Sequence, residues 1–128
     1  MPELLYQECN PIAASFSRAA HSYDSAAQLQ QWSGLELMRR LPRNIQPQRW
    51  LDLGCGTGFF TRRLSATFPQ AQAYAVDISQ GMLHYARQLH PDARYISGSA
   101  ERLPVADNSF DLIFSNLALQ WCTDLSQV

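Results

Sequence analysis

Short, dense apolar runs alternate along this chain with longer stretches in which apolar residues return every three or four positions. The dense runs at 49–53, 71–77, 93–97 and 110–115 predict four strands, set apart by proline, glycine, serine and aspartate. Between them, residues 59–68 predict a helix that stops at Pro69, and Ser79 is placed to cap a second helix running to about Leu89, with Pro91 just beyond. Ahead of the first strand, Ile12, Phe16 and Ala19 or Ala20, then Ala27, Leu29, Trp32, Leu35, Leu37, Met38 and Leu41 recur at helical spacing. They predict two helices broken near residues 21–24, preceded by a frayed start over 1–10 that ends at Asn10-Pro11. Pro42 and Pro47 bracket a loop. Strands alternating with helices imply right-handed parallel crossovers, hence an α/β fold with a Rossmann-like, doubly wound parallel sheet.

The join between the first strand and its helix carries the candidate chemistry. Residues 50–58 read Trp-Leu-Asp-Leu-Gly-Cys-Gly-Thr-Gly, and Asp77 closes the next strand. A glycine-rich turn after one strand and an acid at the end of the next describe a nucleoside site, with the acid receiving the ribose hydroxyls. A dinucleotide fingerprint runs G-x-G-x-x-G, whereas Gly54, Gly56 and Gly58 run G-x-G-x-G and Phe59 stands where the third dinucleotide glycine should be. Asp52 adds a second objection, because a carboxylate beside the loop repels a pyrophosphate but accepts from an ammonium, directly or through water. S-adenosyl-L-methionine carries such an ammonium.

Composition narrows the class. The 128 residues fit one modest domain. Ten cationic side chains, all arginine, face eleven anionic ones, so there is no electrostatic footprint for nucleic acid or an acidic membrane. Cys9, Cys55 and Cys122 are odd in number and widely spaced, which argues against a disulfide framework or a metal site. The start shows no signal-peptide pattern, and no run approaches the ~20 apolar residues of a membrane span, so a cytoplasmic protein is expected. His21, His84 and His90 lie at no metal-ligand spacing, and Cys55 has no base near it in sequence that would make it a nucleophile.

The turn resembles motif I of the class I S-adenosylmethionine-dependent methyltransferases. The resemblance implies that Asp52, Gly54, Cys55, Gly56 and Gly58 form the turn against the methionine part of the cofactor and that Asp77 takes the ribose diol. It implies that Gly98-Ser99-Ala100-Glu101, followed by Leu103-Pro104, flanks the adenine, with Ser99 standing where the family commonly has aspartate. Ile78 and Met82 would sandwich the ring, although apolar residues there are also ordinary packing.

Two further strings, Phe16 to Asp24 with Leu29-Gln30, and Ser115-Asn116-Leu117-Ala118-Leu119-Gln120-Trp121-Cys122, are similar to the malonyl-acyl-carrier-protein O-methyltransferases of biotin synthesis. On that likeness Tyr23 is a lid residue over the cofactor and Arg18 a carboxylate contact. Asn116, Gln120 and Trp121 would position the acceptor. The implied reaction methylates the free carboxyl of a malonyl thioester, carried on acyl-carrier protein or coenzyme A. A quinone-type small-molecule methyltransferase and a cofactor-binding remnant without catalysis stand as alternatives.

Residues 1–46 then read as a helical lid segment and 47–128 as the cofactor-binding half of an incomplete methyltransferase domain. The family has seven strands and four are visible, which predicts a fragment. The fourth strand would present an unpaired edge that invites dimerisation.

Overall fold

The computed structural model describes residues 11–12 and 28–128. Four strands, β1 (Arg49–Leu53), β2 (Gln72–Asp77), β3 (Arg94–Ser97) and β4 (Leu112–Phe114), form one parallel sheet in the order β3-β2-β1-β4. Helix α1 (Gln28–Arg39) precedes β1, α2 (Phe59–Thr67) joins β1 to β2, and α3 (Gln80–Leu89) joins β2 to β3. Short 3-10 turns follow at Leu119–Trp121 and Leu125–Gln127. β2 and β3 lie to one side of β1 and β4 to the other, so the strand order reverses at β1. In an open α/β sheet that reversal opens a crevice beyond the carboxyl ends of the strands. No helix of the described residues is long and apolar enough to cross a membrane.

Register sets the two faces of the sheet. Trp50 and Phe114 pack with Phe60 and Leu64 of α2 and with Leu35 and Met38 of α1, while Ala75 and Cys55 pack with Leu83 of α3. The alternate residues Leu51, Leu53 and Val76 point to the opposite face, where Leu103, Phe110 and Leu119 from loops and a 3-10 turn cover them. Burial of β1 on both faces explains why its sequence reads as a nearly continuous apolar run.

The predicted elements return with small shifts at their ends. β1 keeps its predicted bounds, and Ser79 caps α3 by accepting from the Met82 N–H at 3.2 Å. β4 is shorter than its apolar run because side chains take over at both ends. Asp111 Oδ2 accepts from the N–H groups of Gln48 and Arg49, and Ser115 Oγ donates to the Leu53 carbonyl.

In α1 the periodic apolar residues do not all face inward: Leu35 and Met38 reach the core, but Leu29 is 72% exposed and Trp32 63%. The buried stripe is set by Gly34. A Cβ there would stand 2.0 Å from Phe60 Cζ, so the helix rests its backbone on that ring. Of the two helices predicted over the N-terminal segment, the first lies largely outside the described residues.

Candidate functional site

The turn after β1 is tied to β2 before it reaches α2. The N–H groups of Gly54 and Cys55 both donate to the Val76 carbonyl, at 2.8 and 3.0 Å. Gly54, Gly56 and Gly58 have φ of 78°, 55° and 85°, a left-handed run that side chains with a Cβ rarely adopt. At Gly54 the restriction is also steric, since a Cβ would lie 2.3 Å from the Cβ of Ala118 in the segment after β4. Gly58 begins α2 and faces α3, where a Cβ would stand 3.0 Å from that of Ala86. The close helix approach that a dinucleotide fold assigns to its third glycine therefore occurs here one residue earlier, which leaves position 59 free to carry a phenylalanine.

Asp77 latches the two turns together. Its Oδ2 accepts from the Gly56 N–H and its Oδ1 from the Ser79 N–H, both at 2.8 Å. Burial pushes its carboxyl above the usual range, while the hydrogen bonds from Ser79 and Gly56 oppose the rise. With the Ile78 N–H as a third donor, the two oxygens still leave acceptor capacity for a ligand hydroxyl.

Between these turns lies a cavity lined by Gly54, Gly56, Asp77, Ile78, Met82, Ser99, Ala100, Glu101, Asn116 and Trp121. Those ten come from four separate stretches of sequence, and each was selected from the sequence. Ile12 also lines it. The other selected residues are placed elsewhere. Asp52 is 3% exposed beneath the turn, where its Oδ2 accepts from Thr61 Oγ1 at 2.7 Å. Desolvation raises its carboxyl to about 7 against the opposing Thr61 hydrogen bond, with the negative charge of Asp77 adding to the rise. Cys55 turns into the core against Ala75 and Leu83, and burial pushes its thiol well above the usual range. Gln120 is exposed and donates to the Leu117 carbonyl. Tyr23 and Arg18 lie outside the described residues.

Several lining side chains are engaged in structure. Asn116 donates through Nδ2 to the Gln30 carbonyl at 2.8 Å and accepts at Oδ1 from Ser33, so it fastens α1 to the rim. Glu101 receives the N–H and hydroxyl of Thr123, closing the rim opposite. Ser99 Oγ accepts from the Glu101 N–H at 3.2 Å and is thus occupied in its own turn. Leu117 holds φ of 52° between Asn116 and Ala118, a left-handed conformation uncommon for a leucine. Thr61, Thr123 and Leu117 were missed in the sequence: a hydroxyl nine residues from its carboxylate, or a φ set by tertiary packing, leaves no local signature.

Two carboxyl groups, Asp77 and Glu101, line a cradle that admits backbone but no additional Cβ at Gly54, and a third, Asp52, is buried beneath its turn. That donor set fits a cationic nucleoside and disfavours a pyrophosphate. A sequence profile described as a methyltransferase domain matches residues 51–128. The chain belongs to the methyltransferase-domain family. It is 48% identical over 118 residues to the biotin biosynthesis bifunctional protein BioHC of Cellvibrio japonicus, covering 91% of this chain and 23% of that protein. It is 46% identical over 121 residues to the malonyl-acyl-carrier-protein O-methyltransferase of Methylococcus capsulatus, covering 91% of this chain and 44% of that one. The chain thus spans less than half the length of these curated relatives. Among solved structures, an S-adenosylmethionine-dependent methyltransferase from Mesorhizobium loti superposes with a TM-score of 0.63 at 33% identity, covering 77% of this chain and 44% of that one. The family and the parallel-sheet fold read from the glycine turn are therefore the ones found, and the expected S-adenosyl-L-methionine is the cofactor class of this methyltransferase relative.

Proposed function

We propose that the protein transfers a methyl group from S-adenosyl-L-methionine to the free carboxyl of a malonyl thioester, on acyl-carrier protein or coenzyme A, for biotin synthesis in the cytoplasm. The observation that carries the cofactor half is Asp77, whose carboxylate stands in the cavity wall and is held there by the N–H groups of Gly56 and Ser79. The near-50% identity to the biotin-synthesis relatives supports the choice of acceptor.

The cofactor supplies an electrophilic methyl on a sulfonium. Asp77 offers its remaining lone pairs to the ribose hydroxyls, while Ile78 and Met82 present apolar surface to the base. Gly54 and Gly56 let the backbone approach the methionine part. Asp52, walled off beneath the turn, acts on the cationic end through its field rather than by contact. A malonyl carboxylate is already ionised at neutral pH, so the residues here need only bind, orient and exclude water. Trp121 and Asn116 form the rim on the acceptor side, and Asn116 does so by holding α1 in place. Residues 1–46 act as a lid, in which Tyr23 closes over the cofactor and Arg18 meets the acceptor carboxylate. Residues 47–128 act as the cofactor-binding half.

Calorimetric titration with S-adenosylmethionine should give an affinity at least ~10-fold lower in Asp77→Ala, about the loss of one charge-assisted hydrogen bond. Equal affinity would remove Asp77 from the ribose role. Assays of the complete protein with malonyl-acyl-carrier protein, malonyl-coenzyme A and quinone precursors should show transfer to a malonyl thioester. Transfer to the quinone precursor alone would replace the acceptor.

A further inference from the structure

A buried carboxyl with no cation against it among the described residues asks what holds its charge. Asp52 stands at the end of β1 beneath the first turn of α2, where Thr61 presents it with both a hydroxyl, at 2.7 Å, and a backbone N–H. Thr61 is itself fully buried, so water does not compete for that hydroxyl. The helix N-terminus adds partial positive charge along the same direction. Among the described residues, the titratable groups that interact with Asp52 are Asp77 on β2, Cys55 in the turn and Tyr95 on β3, and each, when ionised, acts against its charge. Among the described residues, Thr61 is therefore the side chain that favours the ionised form against desolvation and the field of Asp77.

We propose that Thr61 is a positioning residue for the cofactor: its hydroxyl fixes the buried Asp52 carboxyl beneath the glycine turn and holds it in the ionised form that the cationic end of S-adenosylmethionine requires. The inference rests on the methyltransferase reading above. It makes cofactor binding proton-linked, because a cation arriving over the turn favours release of the proton from Asp52, and Thr61 sets the pH at which that release occurs.

The test is the pH dependence of S-adenosylmethionine affinity, measured by calorimetry between pH 5.5 and 8.5 on the purified protein, Thr61→Val, Thr61→Ser and Asp52→Asn. For the wild type, affinity should rise with pH, by up to tenfold per unit for a single linked proton, and level off once Asp52 is ionised. In Thr61→Val the rise should move to higher pH by about one unit, the scale of one lost hydrogen bond to a charged group. Thr61→Ser should restore the wild-type midpoint. Asp52→Asn should bind weakly and lose the Asp52-dependent part of the rise, so that what remains reports titration of the ligand itself. A purely structural role for Thr61 would lower stability and leave the midpoint in place, which would overturn the assignment. If Thr61→Val does not fold, the wild-type and Asp52→Asn profiles decide, and superimposable profiles overturn the proposal. Absence of binding to the wild type at every pH would instead overturn the methyltransferase reading.

Discussion

At the scale of single residues, the two aspartates that a motif would treat alike are held in opposite ways. Asp77 receives the backbone N–H groups of Gly56, Ile78 and Ser79 and faces the cavity, whereas Asp52 has the hydroxyl and N–H of Thr61 and is walled off from it. That difference has a consequence for stability. Asp52 titrates near 7 in the fold and near ~4 in an unfolded chain. Between those values the folded state keeps a proton that the unfolded state has lost, so stability contributed by the neutral form is complete below about 4. It is lost progressively as pH rises to about 7 and stays lost above that. Asparagine preserves an acceptor for Thr61 and carries no charge. Asp52→Asn is therefore expected to be more stable than the wild type by a margin that grows between pH 4 and 7, reaching on the order of 2–4 kcal/mol at pH 8 in the absence of ligand. Urea denaturation at pH 5 and pH 8 measures that margin. An identical change with pH in both proteins would show that Asp52 is ionised throughout.

At the scale of elements, the sequence was most legible where local chemistry decides. β1, bounded by a polar start and the glycine turn, and α3, capped by Ser79 and stopped before Pro91, lie within a residue or two of their predicted bounds. The ends of β4 and the buried face of α1 depend on contacts far along the chain. Asp111 and Ser115 shorten β4 by bonding to residues more than sixty positions away. Likewise the apolar spacing of Leu29, Trp32, Leu35 and Met38 does not reveal which stripe is buried, because the choice is made by Phe60 against Gly34. The site divides in the same way. The turn, Asp77 and the lining of the cavity follow from strand ends, while the Thr61–Asp52 pair and the Glu101–Thr123 closure follow from packing. The Gly34 contact can be measured. Gly34→Ala gains about 1 kcal/mol of helix propensity but overpacks the Phe60 ring at a cost of roughly 1–3 kcal/mol, so a net loss of about 1 kcal/mol is expected by thermal denaturation. Combination with Phe60→Leu should recover part of that loss, since the two sites touch. Strict additivity would show that the helix seats elsewhere.

At the scale of the whole molecule, the described sheet ends in β3 on one side of β1 and in β4 on the other. Among the described residues β4 pairs only with β1, and its Ile113 is 54% exposed. Ile113 lies on the face where Leu51, Leu53 and Val76 are covered by loops rather than helices. An edge strand with unused N–H and C=O groups beside an exposed isoleucine is a template for another strand, and a parallel sheet offers no internal means of closing it. The same argument bears on the cavity, because Ser115, Asn116 and Ala118, which tie the rim to Leu53, α1 and Gly54, leave directly from the end of β4. Pairing at that edge should therefore stiffen the acceptor side of the site as well as hide apolar surface. For these 128 residues on their own, sedimentation velocity over a concentration series should reveal concentration-dependent association, and Ile113→Lys, which places a charge on the edge, should shift the population toward monomer. A monomer at every concentration would mean that β4 is protected by its own shortness and by the side-chain bonds at its two ends.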